Sequence, residues 1–402
     1  MTSAQLPLTS IVSIACFAVA LLHGTFSAGG VGALFRQVRY DRMKRELGVE
    51  PGWSWSGAWA PDGLTHRHVA LENGVTIHIA EITPARSSVL APVVLLHGFP
   101  EISYTWVHQM LPIAQRTGRR VIVPDLRGFG ETVIPEVEEV RASYDVHNVT
   151  QDLSLLLKAE GIANAVLIGH DWGAMIAWSF SDLHPAQTAA VGAVGVPNDP
   201  FSKLGTFADW PAAQLEAARA VGPLARLKKY GDMRQFDYMV GFDEGSVEDI
   251  FDVVPRGAFA MVYHRRGASD VTKYGALALD DLVGAVGGRT LLADRVLLPR
   301  PLHDVLVRGA VTRGFAAQIA YYRSIDRSWA QIEAMRPLRC ATPVLIVTCG
   351  KDEVVTPELA DGMEASCAQL TRVHAPLFSH WNAHEHPVET STHLVEWLNS
   401  IA

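Results

Sequence analysis

The chain has 402 residues, of which 49% are hydrophobic and 19% charged, and its formal net charge is −8. A chain of this length and composition buries a sizeable core, which excludes an intrinsically disordered protein. The acidic balance, with no basic stripe, excludes a nucleic-acid-binding protein. The cysteines form no C-x-x-C pair and no disulfide framework, so we expect a reducing compartment; they are Cys16, Cys340, Cys349 and Cys367.

The first predicted element is an apolar segment at the N-terminus. Residues 1–35 contain no Lys, Arg, Asp or Glu, and residues 6–28 reach the roughly 20 residues that cross a bilayer. Basic residues follow this segment instead of preceding it, which argues against a signal peptide and places the remaining chain in the cytoplasm. We therefore predict a membrane anchor at 1–35 and a linker at 36–62. A buried or interfacial helix of a cytoplasmic protein is the alternative, because polar residues interrupt the run.

Residues 63–198 alternate between strand patterns and helix patterns. Two alternating runs meet at Asn73-Gly74, which is a strong β-hairpin signal. Short apolar strands then end near Gly98, Asp125 and His170, with helical stretches between them. Continuous β-branched runs that alternate with helices predict a parallel sheet covered on both faces.

The pattern changes after this region. Residues 199–335 are mostly helical and irregular, and we predict that they form a cap over the catalytic face. The alternation of strand and helix returns at 336–402, which we predict to be the second part of the same sheet. One α/β sheet with a helical insertion is therefore expected.

The stretch "LIGHDWGAM" carries the pattern of a nucleophile elbow, a small–x–nucleophile–x–small motif between a strand and a helix. Serine usually occupies the central position, but here it is Asp171. Asp352 and His380 follow at later strand ends, in the chain order nucleophile, acid and base of the α/β hydrolases. We therefore predict the α/β-hydrolase fold, with these three residues as catalytic groups.

Two alternatives remain open at this point. Asp199, which follows another predicted strand, could serve as the acid instead of Asp352. His380, His384 and His386 in "HWNAHEH" could hold a metal, because histidines at i and i+4 share a helix face. No carboxylate or cysteine has matching ligand spacing, so we predict neither a metal nor a cofactor.

Several motifs resemble those of the α/β-hydrolase-fold epoxide hydrolases: "HGFPEISYTW", "DLRGFGET", "GHDWGA", "GKDEVV" and "SHWNAHEHP". The resemblance covers roughly 65–200 and 315–400 well and the cap more loosely. It implies two cap tyrosines that polarise the epoxide oxygen, Tyr238 in an "FDY" context and Tyr322 in a "YR" context. The chain departs from the family after Tyr238, where it reads "MVGF" instead of a second aromatic cluster, which leaves the pocket shape open.

The resemblance also implies the reaction. Asp171 would open a small, hydrophobic epoxide to form an ester, and His380 with Asp352 would activate the water that hydrolyses it. We expect the backbone N–H groups of Phe99 and Trp172 to form the oxyanion hole. We expect the substrate pocket to be lined by His97, Pro100, Trp106, Phe236 and Trp381. A haloalkane or haloacetate dehalogenase with the same nucleophile is the alternative enzyme, and a ligand-binding protein without turnover is a third possibility.

Overall fold

A computed structural model describes residues 60–401 and the short stretches at 44–45 and 49. The gaps within 60–401 are 86–88, 137–138, 202–215, 219, 231–233, 237, 245–246, 254, 264–299 and 336–339. The predicted anchor at 1–35, including the span at 6–28, lies outside the described residues, as does most of the linker. Among the residues that are described, no helix has the length and apolar character needed to cross a membrane.

The strands form a single sheet in the described part of the chain. They are β1 (Leu64–Ala70), β2 (Thr76–Ile82), β3 (Val93–Leu96), β4 (Val121–Pro124), β5 (Ala165–His170), β6 (Thr188–Val194), β7 (Cys340–Cys349) and β8 (Cys367–Ala375). Their order across the sheet is β1-β2-β4-β3-β5-β6-β7-β8. β2 is antiparallel to both β1 and β4, and the other neighbouring pairs are parallel. The predicted mostly parallel α/β sheet is confirmed.

Helices flank the sheet and fill the interval between β6 and β7. The first group comprises α1 (Val107–Thr117), α2 (Val140–Ser143), α3 (Val146–Ala159) and α4 (Trp172–Leu183). Between β6 and β7 lie α5 (Pro223–Tyr230), α6 (Tyr238–Glu244), α7 (Val247–Val253), α8 (Pro255–Val262), α9 (Arg300–Arg313), α10 (Phe315–Arg323) and α11 (Ile325–Glu333). After β8 come α12 (Asn382–Glu385) and α13 (Pro387–Ser400). Short 3₁₀ turns occur at Ser103–Trp106, Pro185–Gln187, Arg234–Phe236, Pro357–Ala360 and Met363–Ala365.

The core lies along the central strands. Every residue of β3, β4 and β5 is buried, because parallel strands in this position are covered on both faces. The edge strands β1 and β8 instead carry several exposed residues. The centre of the sheet is therefore a rigid support for the loops at its carboxyl edge.

The predicted hairpin at Asn73-Gly74 is confirmed. β1 pairs with β2 in antiparallel register, with Leu64 opposite Ile82 at one end and Ala70 opposite Thr76 at the other. Gly74 has a φ of 83°, a left-handed conformation that glycine adopts without steric cost. The side-chain oxygen of Asn73 accepts a hydrogen bond from the Val75 N–H at 3.2 Å, which closes the turn.

A buried ion pair ties the loop after β4 to α3. The Arg127 guanidinium donates from Nε and Nη2 to the two carboxylate oxygens of Asp152, at 2.8 Å and 2.7 Å. The side chains are only 6% and 2% exposed. Asn73 donates to the same carboxylate at 2.7 Å, so the hairpin turn joins this contact. The pair thus connects the hairpin, the β4 loop and α3.

We expect Arg127→Ala to lower the free energy of unfolding by about 3–5 kcal/mol, because it leaves the Asp152 carboxylate buried and unpaired. The measurement is urea denaturation of the variant beside the unchanged protein. The matched control is Lys158→Ala on α3, the helix that also carries Asp152. Its ion pair with Glu72 has side chains 62% and 66% exposed, and its loss should change stability by less than about 1 kcal/mol. Equal losses in the two variants would contradict the role given to burial.

Candidate active site

The site is built on the turn at Asp171, between β5 and α4. Asp171 has a φ of 51°, a conformation that is strained for a residue with a side chain. A Cβ atom added to Gly169 would lie 2.2 Å from the Gly173 carbonyl carbon, and one added to Gly173 would lie 2.2 Å from the Leu96 oxygen. Only glycine fits at these two positions, which is the physical basis of the small–x–nucleophile–x–small pattern. The tight turn presents the Asp171 carboxylate at the carboxyl edge of the sheet.

Asp352 and His380 converge on Asp171 from the loops that follow β7 and β8. Asp352 Oδ1 accepts hydrogen bonds from the backbone N–H groups of Val354 and Val355, at 2.9 Å and 2.8 Å. Its other oxygen lies 2.6 Å from His380 Nδ1. His380 Nε2 lies 3.5 Å from Asp171 Oδ2. The imidazole therefore bridges the two carboxylates, with one nitrogen directed at each.

This geometry decides between the two candidate acids. Asp199 has a φ of 53° and follows β6, but the carboxylate that accepts the hydrogen bond from His380 Nδ1 is that of Asp352. The backbone donors that hold Asp352 also fix the direction in which its second oxygen points. We therefore assign the partner of His380 to Asp352 and give Asp199 no role in the triad.

The charges around His380 favour its protonated form. Burial by itself would lower the pKa of His380, but the Asp352 carboxylate and the hydrogen bonds with Asp171 and Asp352 raise it well above its ordinary value. Burial would likewise raise the pKa of Asp352, yet the charge of His380 and its hydrogen bond lower it. Asp352 and His380 thus both stay charged. The imidazolium form of His380 is stabilised by the carboxylates of Asp171 and Asp352.

A backbone donor already holds one oxygen of the nucleophile. The Phe99 N–H donates to Asp171 Oδ1 at 2.8 Å. Trp172 is the first residue of α4. The N–H groups of a helix's first turn have no acceptor within the helix, and the Trp172 N–H is one of them. The Phe99 N–H is thus placed to stabilise negative charge on Oδ1.

Aromatic side chains from α6 and α10 enclose the face of Asp171. The Tyr322 ring makes edge contacts with Phe99, Trp172, Phe242 and Tyr238, with ring centroids 5.3, 5.0, 4.9 and 5.7 Å apart. The side chains of Tyr238 and Trp172 both affect the pKa of its hydroxyl, so both lie close to it. The structure therefore brings the two tyrosines together beside the nucleophile, although α6 and α10 are far apart in the chain.

Both the position and the ionisation of Tyr322 suit a hydrogen-bond donor. Burial raises its pKa well above the ordinary value, and the neighbouring Tyr238 and the charge of Asp171 raise it further. The hydroxyl consequently keeps its proton. The adjacent Tyr321 is different, because its hydroxyl donates to the Arg127 carbonyl at 2.9 Å and so serves the loop after β4.

A second buried acid–histidine pair lies behind the triad, and the sequence patterns assigned it no role. Glu101 Oε2 accepts a hydrogen bond from the Gly98 N–H at 2.7 Å and lies 3.0 Å from His170 Nδ1. His170 Nε2 lies 2.7 Å from the His380 carbonyl oxygen. Burial would raise the pKa of Glu101, but the charge and hydrogen bond of His170 lower it to about 2. The pair thus supports the backbone of His380.

The sequence did contain a signal for this pair. Glu101 ends the "HGFPE" motif and His170 directly precedes the nucleophile, so both stand inside motifs already singled out. Their contact joins residues that are 69 positions apart.

We expected five residues to line the substrate pocket, and the structure places one of them, His97, elsewhere. It is fully buried, its Nδ1 lies 2.9 Å from the Gly98 carbonyl oxygen, and its Nε2 accepts from the Leu126 N–H at 3.0 Å. Both nitrogens are occupied by backbone groups, so His97 holds two loops together and does not offer a polar group to a ligand.

The other four expected pocket residues differ in their surroundings. Trp381 lies edge-on to His380, with ring centroids 4.7 Å apart, and its indole donates to the Val262 carbonyl at 3.0 Å. Phe236 is buried against Phe201. Pro100 and Trp106 are also buried, in the loop after β3 and in the 3₁₀ turn that follows it.

The histidines considered as metal ligands point to different partners. His380 bonds to Asp352, whereas the His386 ring stacks on Phe378 with centroids 4.9 Å apart. His384 lies near Glu101, which affects its pKa. In the described part of the chain, no three His, Cys, Asp or Glu residues are grouped as metal ligands.

Comparison with known proteins agrees with this architecture. A family model for the alpha/beta hydrolase fold matches residues 91–221. The chain is 27% identical to bifunctional epoxide hydrolase 2 of Sus scrofa, over 85% of this chain and 56% of that protein. It is 29% identical to epoxide hydrolase A of Mycobacterium tuberculosis, over 82% of this chain and 96% of that protein. The chain thus spans about half of the length of the first relative and nearly all of the second.

Solved structures show the same similarity. A crystal structure of an epoxide hydrolase from Vigna radiata superposes with a TM-score of 0.65 at 25% identity, covering 85% of this chain and 99% of that one. That of epoxide hydrolase A from Mycobacterium thermoresistibile superposes with a TM-score of 0.62 at 26% identity, covering 84% and 98%. The fold, the elbow and these relatives together show that the chain has the alpha/beta hydrolase fold and is similar to epoxide hydrolases of that fold.

Proposed function

We propose that the chain opens epoxides to vicinal diols through a covalent ester on Asp171. The observation that carries this proposal is the arrangement at the elbow. A carboxylate stands where related folds place a hydroxyl, one of its oxygens is bound by the Phe99 N–H at 2.8 Å, and His380 Nε2 lies 3.5 Å from the other. This arrangement suits a nucleophile that is later released by water.

The choice of a carboxylate follows from the chemistry of the substrate. An epoxide offers a strained sp³ carbon, and attack on it by serine would give an ether that water does not easily cleave. Attack by a carboxylate gives an ester, whose carbonyl carbon can be hydrolysed. Because Oδ1 of Asp171 is held by the Phe99 N–H, Oδ2 is the attacking oxygen. As the new bond to Oδ2 forms, the carbon–oxygen bond of the epoxide breaks.

The departing epoxide oxygen becomes an alkoxide and needs a proton. Tyr322 and Tyr238 lie together beside the nucleophile, and burial keeps the Tyr322 hydroxyl protonated by raising its pKa. These hydroxyls donate to the oxygen as the ring opens. General acids of this kind contribute about 10²–10⁴-fold in rate.

Ester formation also prepares His380 for the second step. Esterification removes the negative charge of Asp171, which is one of the groups that raise the pKa of His380. The imidazolium then gives up its proton more readily, and this proton restores the tyrosine that lost one to the epoxide oxygen. The neutral imidazole can then accept a proton from water. The resulting hydroxide attacks the ester carbonyl carbon, and the oxyanion on Oδ1 is stabilised by the N–H groups of Phe99 and Trp172. Collapse of this intermediate breaks the ester bond, the departing oxygen takes the proton of the new carboxyl group to complete the diol, and Asp171 returns to the carboxylate form.

The domain organisation is part of the proposal. Residues 63–198 and 336–402 would form the catalytic core, and 199–335 would form the cap. The support is that Phe242 and Tyr322, from helices inserted between β6 and β7, contact Phe99 and Trp172 of the core. Tyr238, from the same insertion, packs on Tyr322. The enclosure is aromatic, which favours a hydrophobic epoxide as substrate.

Residues 1–35 would attach this domain to a membrane from the cytoplasmic side, with 36–62 as the linker. The support is the uncharged N-terminal sequence followed by basic residues. A membrane would concentrate hydrophobic epoxides near the site.

Dehalogenation is the second candidate, because it uses the same nucleophile and Trp172 could donate to a halide. The paired tyrosines oppose it, because a leaving halide requires no proton and these two hydroxyls provide one.

Product analysis distinguishes the two reactions. The purified protein would be offered a panel of hydrophobic epoxides and the matched bromo- and chloroalkanes, while diol and free halide are measured together. We expect diol from the epoxides and no halide, and Asp171→Asn should remove diol formation because it removes the nucleophile. Halide release without diol would contradict the proposal and identify a dehalogenase.

We expect Tyr322→Phe to slow ester formation in a single turnover by about 100-fold or more, because it removes the proton donor. Tyr238→Phe should act in the same direction. The matched control is Tyr321→Phe, which removes the neighbouring hydroxyl that bonds to Arg127 instead, and its rate should equal that of the unchanged protein. If Tyr322→Phe and Tyr321→Phe react at the same rate, the cap tyrosines do not act as donors.

A further inference from the structure

Trp381 contacts both the catalytic histidine and the helix α8 of the proposed cap. Its indole N–H donates to the carbonyl of Val262, the last residue of α8, at 3.0 Å. Its ring packs on Tyr263, which directly follows α8, with centroids 4.1 Å apart. The same ring lies nearly perpendicular to the His380 ring, with centroids 4.7 Å apart and an angle of 88° between the planes. A single buried side chain thus joins the end of α8 to His380.

The His380 ring needs a support of this kind at its reacting end. Nδ1 is held by Asp352 at 2.6 Å, whereas Nε2 lies 3.5 Å from Asp171 Oδ2, which is longer than an ordinary hydrogen bond. A ring that is held firmly at one nitrogen can still turn about that contact. The neighbouring rings of Trp381 and His170, with centroids 4.7 Å and 4.8 Å from that of His380, therefore decide where Nε2 points.

The helix α8 is suited to act as a fixed support. Phe259 of this helix is fully buried and packs on Phe315, the first residue of α10, with centroids 6.1 Å apart. Arg256 of α8 also forms an ion pair with Asp304 of α9. Because α10 carries Tyr322, the helix that positions the proton donor packs on the helix that supports the indole.

The two steps of the proposed reaction use the His380 ring differently. During ester formation His380 contributes its positive charge, which acts over a distance and depends little on the angle of the ring. During ester hydrolysis Nε2 must accept a proton from water, so it must lie within hydrogen-bond reach of that water. A displacement of about 1 Å at a reacting group can lower a rate by about 100-fold. Loss of support for the ring should therefore slow hydrolysis and spare ester formation.

We propose that Trp381 is a positioning residue, which holds the His380 ring against the end of α8 so that the cap sets the base for ester hydrolysis. This role differs from the expected lining of the substrate pocket, because Trp381 acts through His380 and not on the substrate. The inference rests on the proposed epoxide hydrolysis and adds a residue on which its second step depends.

The test is Trp381→Phe, which keeps an aromatic ring but removes the indole N–H and its bond to the Val262 carbonyl. Rapid quenching followed by intact-mass measurement follows the formation and the decay of the Asp171 ester in a single turnover. We expect the decay to be at least about 10-fold slower than in the unchanged protein, and the rate of formation to be the same. The steady-state kcat/KM, which depends only on the steps up to ester formation, should also be unchanged.

Trp178→Phe is the matched control. Trp178 is buried like Trp381, and its indole N–H donates to the Val196 carbonyl at the same 3.0 Å, so the control removes the same kind of bond and the same volume. Its bond ties α4 to the loop after β6 and not to the cap. We expect the rates of ester formation and decay in this variant to keep their original ratio, even if its thermal melt shifts as far as that of Trp381→Phe.

A second variant, Tyr263→Leu, tests the same support from the side of the cap. It removes the ring on which the indole packs and leaves Trp381 and His380 unchanged. We expect it to slow ester decay and to spare ester formation, as Trp381→Phe does. If Trp381→Phe does not fold, as judged by its thermal melt, the result for Tyr263→Leu decides.

Three results would overturn the positioning role. Equal losses in ester formation and ester decay would indicate general damage to the structure. Slower ester formation with unaltered decay would indicate that Trp381 acts on the substrate. Unaltered rates of both steps would show that the His380 ring needs no support from the cap.

Failure of the proposed function would look different from these results. If the unchanged protein forms neither ester nor diol, epoxide hydrolysis itself is contradicted. If it forms both, and the two rates in Trp381→Phe keep their ratio, only the role of Trp381 is contradicted.

Discussion

The whole site depends on how closely the backbone approaches itself around Asp171. A Cβ atom at Gly98 would lie 2.4 Å from the Cβ of Asp171, in addition to the close approaches at Gly169 and Gly173. Three glycines, from the loop after β3, from β5 and from α4, are therefore needed before the carboxylate can reach the Phe99 N–H. The strained φ of Asp171 persists because the buried strands on both sides leave the turn no room to relax.

The charges are arranged in two layers behind this turn. His380 lies between Asp171 and Asp352, and His170 lies between Glu101 and the His380 backbone. Each buried carboxylate consequently has a histidine beside it, which offsets the cost of burying its charge. The first layer changes during the reaction, because the ester neutralises Asp171, while the second layer keeps the His380 backbone in place.

Sequence reasoning could predict the parts that depend on local pattern. The alternation of strands and helices predicted the sheet, Asn73-Gly74 predicted the hairpin, and "GHDWG" predicted a turn that tolerates only small neighbours. The order of Asp171, Asp352 and His380 indicated which groups the sheet edge would collect. The resemblance to a family, and not periodicity, selected Tyr238 and Tyr322 from among the aromatic residues.

The remaining features depend on contacts between distant segments. His97 was expected at the pocket, but the bond to the Leu126 N–H, 29 positions away, turns its ring into the interior. The Glu101–His170 pair likewise arises only when separate loops pack together.

The central claim is that Asp171 forms an ester that His380 is needed to hydrolyse. The most direct measurement is the intact mass of His380→Gln after incubation with an epoxide that the unchanged protein hydrolyses, followed by peptide mapping. The account predicts an increase equal to the mass of the epoxide, located on Asp171 and absent from the variant that also carries Asp171→Asn. An unmodified His380→Gln protein that still forms diol, or an adduct that persists in the double variant, would contradict it.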